Sequence, residues 1–202
     1  MTSATATPAL AARRAGTGDL AGLVGLESSC FGPDERWSAP SWQAELDGDD
    51  RAVWVAVRTR RDADAGGCQA FDEVVAACCV HLAGEDAELF RVMTAPALRG
   101  LGVATMLVSA GLAWVRAHGA VRMLLEVRHD NVTARSLYAD LGFTDLYLRT
   151  NYYGYGLDAV VMSRPVGEPT PPEPTLVRTP AAVPARTGGL WDDLHDEGDS
   201  NE

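Results

Sequence analysis

The chain contains no lysine. All 17 of its cationic residues are arginines, they face 28 aspartates and glutamates, and the formal net charge is -11 over 202 residues. A chain with this balance has no basic stripe that could neutralise phosphates, so the composition argues against nucleic-acid binding. The same negative charge disfavours an anionic membrane surface.

Long apolar runs are also missing. None reaches the roughly 18 residues that a membrane-spanning helix requires, and residues 1–16 show no basic segment followed by an apolar one, as a secretory signal would. From these features we expect a cytoplasmic protein that does not insert into membranes.

Cysteine is scarce, and its spacing offers no motif. The four cysteines form no Cys-x-x-Cys pair, and Cys78 and Cys79 adjoin in an apolar run, which favours buried or free thiols that behave as small hydrophobes. The four histidines show no pairing at the spacing of metal ligands. The sequence therefore predicts no metal site.

Composition divides the chain near Pro165. Residues 166–202 hold 8 acids, 2 arginines and 6 of the 11 prolines, a make-up that cannot bury enough apolar surface to fold alone. We expect one domain over residues 1–165 and a disordered acidic tail over 166–202. Leu190, Trp191 and Leu194 interrupt the acids of the tail, and they could form a short helix that binds a partner.

Apolar periodicity predicts a chain that alternates between helices and strands. We expect helices near 18–29, after Ser38, over 102–118 and over 131–141, and strands over 53–57, 74–82, 88–94, 121–127, 146–152 and 158–164. A polar hairpin loop is expected over 60–67.

A glycine-rich turn follows the strand predicted at 88–94 and opens the next helix. Such a turn presents unpaired backbone N–H groups and the positive end of the helix dipole, so it suits a pyrophosphate. Glycine at 100 and 102 would let phosphate oxygens approach the amides, although the same glycines could simply make a tight turn. The third glycine of a dinucleotide fingerprint is absent, and a P-loop would need a lysine.

The residues around this turn carry a resemblance. Arg99-x-x-Gly102-x-Ala104 resembles the acetyl-CoA motif Q/R-x-x-G-x-G/A of the GNAT superfamily of N-acetyltransferases. LEVRHDNVTARSLYADLGF and LRTNYYGYGLDAVVM follow. Both resemble the signature of the RimI-type ribosomal-protein-alanine N-acetyltransferases, LEVR-x-x-N, A-x-x-LY-x-x-LGF, R-x-x-YY and DA-x-x-M. The resemblance covers about residues 10–165 and implies an α/β fold, a mixed and mostly antiparallel twisted sheet of six or seven strands with helices on both faces.

The resemblance also implies the roles of individual residues. Acetyl transfer to an amine needs a base, an acid and donors that hold the thioester carbonyl. Glu126 matches the general base and Tyr138 the general acid. The implied acetyl-CoA contacts are Val92, Met93, Thr94, Arg99, Gly100, Leu101, Gly102, Val103, Ala104, Thr105 and Asn131.

Read without the resemblance, two of these side chains have plainer explanations. Glu126 lies in an apolar strand, where a carboxylate is costly to bury unless it is paired, and it could be capped by Arg128 or by solvent. Tyr138 could be an ordinary half-buried core aromatic. Asn131 lies seven residues earlier, two helical turns away on the same face.

The resemblance also implies that two loops contact the acceptor. Trp37 lies in the loop over residues 31–37, and Tyr152 and Tyr153 open the connection between the last two predicted strands, Tyr152 as the last residue of its strand. The family usually has a shorter F-P-W-S in the first loop, and it has an acid where this chain has Leu157. These two departures affect the expected acceptor more than they affect the expected acetyl transfer.

The function expected from the resemblance is N-α-acetylation of a protein N-terminal alanine, in the family a ribosomal protein, by direct transfer from acetyl-CoA in a ternary complex. Two other functions stay open. One is acetylation of a small amine or antibiotic, which the acidic loop would suit. The other is a regulatory protein that binds acetyl-CoA without turnover.

Overall fold

The computed structural model describes residues 10–62 and 69–167. Its strands are β1 Leu10–Arg14, β2 Arg51–Asp62, β3 Gln69–Ala83, β4 Asp86–Thr94, β5 Arg122–Arg128, β6 Thr144–Arg149 and β7 Ala159–Pro165. Its α-helices are α1 Leu20–Cys30, α2 Ala39–Asp47, α3 Val103–Ala117 and α4 Val132–Asp140. The predicted tail and its Leu190, Trp191 and Leu194 lie outside the described residues, apart from 166 and 167.

The strands form one seven-stranded sheet in the order β1-β2-β3-β4-β5-β7-β6. β4 and β5 pair in parallel, and every other neighbouring pair is antiparallel. The prediction of a mixed, mostly antiparallel sheet is therefore confirmed.

Helices cover both faces of this sheet, and each face has its own core. On one face α3 and α4 pack over the sheet through residues such as Leu107, Val115 and Tyr138. On the other, α1 and α2 contribute Leu23 and Trp42, which are both fully buried. Burial of a large apolar side chain contributes about 1.5–3 kcal/mol, so these two faces supply most of the stability of the fold.

Local signals set the ends of the helices. Ser38 caps α2 by accepting a hydrogen bond from the Ser41 amide at 3.2 Å, and Asn131 caps α4 in the same way through the Ala134 amide at 3.1 Å. Gly119, at φ +87°, follows the end of α3, as its left-handed conformation allows.

One strand was not predicted, and the bounds of another were wrong. β1 was not expected, because its sequence LAARR has no apolar alternation; it is an edge strand that exists by pairing with β2. The strand predicted at 146–152 lies instead at Thr144–Arg149. Asn151 adopts a left-handed φ of +58°, and its amide donates to Asp158 Oδ1 at 2.8 Å, so the following tyrosines lie in a turn.

No helix within the described ranges is both long enough and apolar enough to cross a bilayer.

Candidate active site

β4 and β5 begin as paired strands and then separate. Their parallel pairing covers only Asp86–Leu89 with Arg122–Leu125. The register between β3 and β4 shifts at this point, so that Phe90 has no partner on β3, and such a bulge bends its strand. A gap therefore opens in the sheet between the last residues of β4 and those of β5.

The end of β4 directs backbone amides into this gap. The amide of Ala95 donates to the Val75 carbonyl of β3 at 2.9 Å. Because alternate residues of a strand direct their N–H groups to opposite sides, the Met93 amide also faces β3, and those of Val92 and Thr94 face the gap. All three residues were predicted to contact acetyl-CoA, but only the amides of Val92 and Thr94 face the gap.

The turn before α3 has the geometry of an anion site. Gly100 and Gly102 both have φ +76°, a conformation that side chains disfavour. None of the six amides from Gly100 to Thr105 donates to a described carbonyl, and no side chain caps the helix. A run of free amides at a helix N-terminus attracts phosphate, so the predicted residues 100–105 do come together as one cradle.

Arg99 and Thr94 link this cradle to the gap. Arg99 is exposed, and its Nε donates to the Thr94 carbonyl at 3.2 Å. The Thr94 hydroxyl is buried and has no hydrogen-bond partner in the described structure. Asn131 lies at the start of α4, where its carbonyl oxygen is occupied by the cap, and its amide NH2 group is the part that could face a ligand.

Glu126 lies on β5 where that strand has left β4, and its side chain is only 6% exposed. Arg149 of β6 donates to Oε1 at 2.5 Å. The other oxygen, Oε2, is buried and has no partner within hydrogen-bond distance among the described residues, and the Tyr152 phenol interacts with the same carboxylate. Arg128, the partner considered from the sequence, binds Asp130 instead at 2.7 Å. The arrangement leaves one oriented carboxylate oxygen available to a proton donor.

Tyr138 lies on α4, is 8% exposed and packs edge-on against Phe143 with ring centroids 5.9 Å apart. Burial raises the pKa of its phenol above the ordinary value of 10. The plainer explanation of Tyr138 as a core aromatic therefore holds for its ring.

Tyr152 and Tyr153 stand together in the turn after β6, with ring centroids 4.9 Å apart. Burial and the neighbouring Glu126 carboxylate raise the pKa of both phenols, to about 12 for Tyr153. The Arg149 guanidinium lies 4.3 Å from the centre of the Tyr152 ring. These two tyrosines and Glu126 thus lie close together.

A buried ion pair that the sequence analysis did not anticipate holds the loop over residues 31–37. Arg91 of β4 binds Glu27 of α1 through two hydrogen bonds of 3.0 and 2.8 Å, and Glu27 is 1% exposed. Arg91 also donates to the Glu35 carbonyl at 2.6 Å and covers the Phe31 ring at 3.8 Å. The signal that could have found it is an arginine inside an apolar strand.

Trp37 closes this loop against the protein. Its ring lies 5.0 Å from Trp42, 6.1 Å from Phe90 and 5.0 Å from the Arg91 guanidinium. Trp37 is half-buried, so it supports the loop and offers only part of its surface to an acceptor.

The profile of the acetyltransferase (GNAT) family matches residues 21–143, more than half of the chain. The bS18-alanine N-acetyltransferases of Haemophilus ducreyi and Salmonella typhimurium are 32% and 31% identical over 96 and 98 residues, which are 46% and 47% of this chain. The matched region spans 66% of each relative, just under two-thirds of its length.

Among solved structures, the ribosomal-protein-S18-alanine N-acetyltransferase from Escherichia coli superposes with a TM-score of 0.65. It is 21% identical, and the alignment covers 80% of this chain and 97% of that one. At this identity the likeness concerns the fold, which is the one predicted.

Proposed function

Because the chain belongs to the acetyltransferase (GNAT) family, whose members use acetyl-CoA, we propose that it acetylates the free amine of a protein N-terminal alanine. The proposed acceptor is a ribosomal protein, as the names of the two bacterial relatives say of them. The transfer is direct, with both substrates bound at once.

The observation that carries the proposal is the Glu126 carboxylate in the gap between β4 and β5. Arg149 holds one oxygen, and the other is buried with no partner within hydrogen-bond distance among the described residues. Leaving such an oxygen unpaired is unfavourable, so a ligand N–H or a water molecule is its natural partner. An acceptor amine placed there would give its proton to Oε2, directly or through that water.

The two walls of the gap suit the other parts of acetyl-CoA. The amides of residues 100–105 would bind the pyrophosphate, and those of Val92 and Thr94 would hold the thioester oxygen as negative charge develops on it. Tyr138 is protonated at neutral pH already at the ordinary phenol pKa of about 10, and it would donate its proton to the departing sulfur. Because burial raises its pKa further and makes it a weaker acid, this transfer requires its hydroxyl to be placed against the sulfur.

The ordinary pKa values of amines favour an N-terminus over a lysine side chain as the acceptor. An α-amino group has a pKa of about 7.7–8.0 and a lysine amine one of about 10.4. At pH 7 about 9–17% of N-terminal amines are unprotonated, against about 0.04% of lysine amines, so a single carboxylate suffices as the base for an N-terminus.

One observation favours a second acceptor class. Asp34 and Glu35 are exposed in the loop that walls the acceptor side, and two carboxylates there would attract a cationic small amine. The acceptor assay therefore includes polyamines and aminoglycosides beside the peptides.

The test is acetylation of hexapeptides that begin with Ala, Ser, Met or acetyl-Ala, followed by mass spectrometry. We expect modification of the free Ala peptide and a fall of at least about 100-fold, the lower range for loss of an acid or base, in Glu126→Gln and Tyr138→Phe. Tyr147→Phe is the matched control, because Tyr147 of β6 is 45% exposed and no role in the transfer is proposed for it. If acetyl-CoA raises the melting temperature and only the small amines are acetylated, the second acceptor class is correct.

A further inference from the structure

Three side chains with metal-binding atoms meet where α2 packs on β3. Cys79 and His81 are two residues apart on β3, so both point to the α2 face, and Glu45 comes from the last turns of α2. The Cys79 thiol donates to Glu45 Oε2 at 3.2 Å, and His81 Nε2 shares a short hydrogen bond with the same oxygen. The three atoms lie within 4.8 Å of one another.

This spacing is close to what a tetrahedral metal ion requires. Zinc binds sulfur at about 2.3 Å, nitrogen at about 2.0–2.1 Å and carboxylate oxygen at about 2.0–2.2 Å, which puts neighbouring ligand atoms roughly 3.3–3.6 Å apart. The Cys79–Glu45 separation already approaches this range. The contact between His81 and Glu45 has to lengthen, and the Cys79 and His81 ligand atoms lie no more than 4.8 Å apart.

We propose that Cys79, His81 and Glu45 bind one zinc ion, with water in the fourth position. One sulfur, one imidazole nitrogen and one carboxylate oxygen form a donor set that suits zinc, whereas calcium and magnesium prefer oxygen alone. The ion replaces the protons that the thiol and the His81–Glu45 contact now hold.

The surrounding residues favour this role over a simple hydrogen-bonded cluster. Arg51 lies 3.4 Å from the other Glu45 oxygen, Oε1, and its own charge is shared with Asp50 at 2.8 Å. Oε2 is therefore the oxygen left for a metal ion. The His81 ring is fixed by stacking on Phe90 at 4.1 Å. The His81 and Glu45 side chains remain 14% and 11% exposed, which gives an ion a way in.

The position of the three ligands predicts that the zinc ion would stabilise the packing next to the acceptor loop. Phe90 is the bulged residue of β4 and packs against Trp37 of the 31–37 loop. A zinc ion joining α2 to β3 would hold this packing in place without contacting Glu126. Sequence spacing hides the site because Glu45 lies 34 residues before Cys79.

The experiment uses the untagged full chain, stripped with a chelator and titrated with Zn²⁺ against a competing metal indicator. Co²⁺ is the spectroscopic probe, since tetrahedral cobalt with a thiolate ligand shows a sulfur-to-metal charge-transfer band. We expect one equivalent of either metal, a higher melting temperature with Zn²⁺, and loss of the band in Cys79→Ser. Glu45→Gln, His81→Gln and Cys79→Ser should each weaken binding at least about 100-fold, the upper end of what loss of an outer-shell partner costs.

Cys30→Ser is the matched control, because that cysteine lies at the end of α1, where its thiol donates to the Thr94 carbonyl, and it is not one of the three proposed ligands. It should leave the stoichiometry and the band unchanged. Glu45→Gln changes a side chain that keeps some exposure, so it tests the site even if Cys79→Ser does not fold. The proposal is overturned if the unmodified chain binds Zn²⁺ no more tightly than Glu45→Gln, or if the band survives in Cys79→Ser. Neither result depends on acetyltransferase activity.

Discussion

Replacing Arg91 by methionine should destabilise the protein and release the acceptor loop at the same time. Arg91 is the partner of Glu27, which is 1% exposed and bound through two hydrogen bonds of 3.0 and 2.8 Å. Breaking a buried pair by removing one partner costs about 3–5 kcal/mol, since it leaves an uncompensated charge in the interior. Domains of this kind unfold at a cost of about 5–15 kcal/mol, so the loss is a large part of the total.

The double variant Glu27→Leu/Arg91→Met separates stability from loop anchoring. Replacing a whole buried ion pair by apolar residues is often neutral or stabilising, so the double variant should regain most of the free energy of unfolding. It still lacks the hydrogen bond from Arg91 to the Glu35 carbonyl and the contact with Phe31. We expect its acceptor KM to stay raised while its affinity for acetyl-CoA equals that of the unmodified protein.

The measurements are urea unfolding followed by tryptophan fluorescence, and steady-state kinetics with the best acceptor peptide. An Arg91→Met variant within about 1 kcal/mol of the unmodified protein, the size of an ordinary substitution, would refute the buried-pair argument. A double variant that regains both stability and acceptor KM would show that the ion pair acts on the loop only through stability.

Three further predictions concern the cofactor side, the base and the acid limit of stability. Gly102→Ala places a side chain at φ +76°, which costs about 1–2 kcal/mol. The variant should no longer show a rise in melting temperature with acetyl-CoA. A variant that binds acetyl-CoA normally would contradict the proposal that residues 100–105 bind the phosphates. Arg149→Met should lower kcat at least about tenfold, since Glu126 loses the donor that orients it. Acetyl-CoA binding measured by calorimetry should be unchanged. An unaltered kcat would show that Arg149 has no part in the reaction. The hydrogen bond from Arg13 lowers the pKa of Asp19, so this pair stabilises the fold above the ordinary pKa of about 3.9 and stops doing so as pH falls through the lowered value. Asp19→Asn should therefore be less stable at pH 7 than the unmodified protein, and the two unfolding curves should converge at strongly acidic pH.

Most elements of the fold were predictable because their signals are local. The α3 helix begins after Gly102 and is followed by Gly119, α4 begins after the Asn131 cap, and the buried pair Cys78 and Cys79 lies inside a strand. In each case residues within one or two turns of each other carry the information, as caps and apolar periods do.

The acceptor side was less predictable because its conformation depends on distant partners. Tyr152 was placed in a strand, yet it belongs to a turn that Asp158 and Gly156 stabilise through hydrogen bonds with Asn151. A β-rich sequence such as LRTNYYGY predicts a strand from composition, whereas the left-handed conformation of Asn151 is selected by contacts five to seven residues away.

The buried charges show what kind of information a single sequence withholds. An arginine or glutamate in an apolar strand has to find a partner, and this rule alone flags Arg91 and Glu126. It does not say which partner, because Glu27 lies 64 residues from Arg91 and Arg149 lies 23 residues from Glu126. The two pairs have different roles. The Arg149–Glu126 pair orients the proposed base, and the Glu27–Arg91 pair holds the acceptor loop against β4. Since Glu27 and Arg91 lie outside the motifs that carry the resemblance, a chain can keep those motifs and hold its acceptor loop in another way. We therefore expect differences in acceptor between related chains to depend more on how the Glu27–Arg91 pair holds the loop than on the motifs around Glu126.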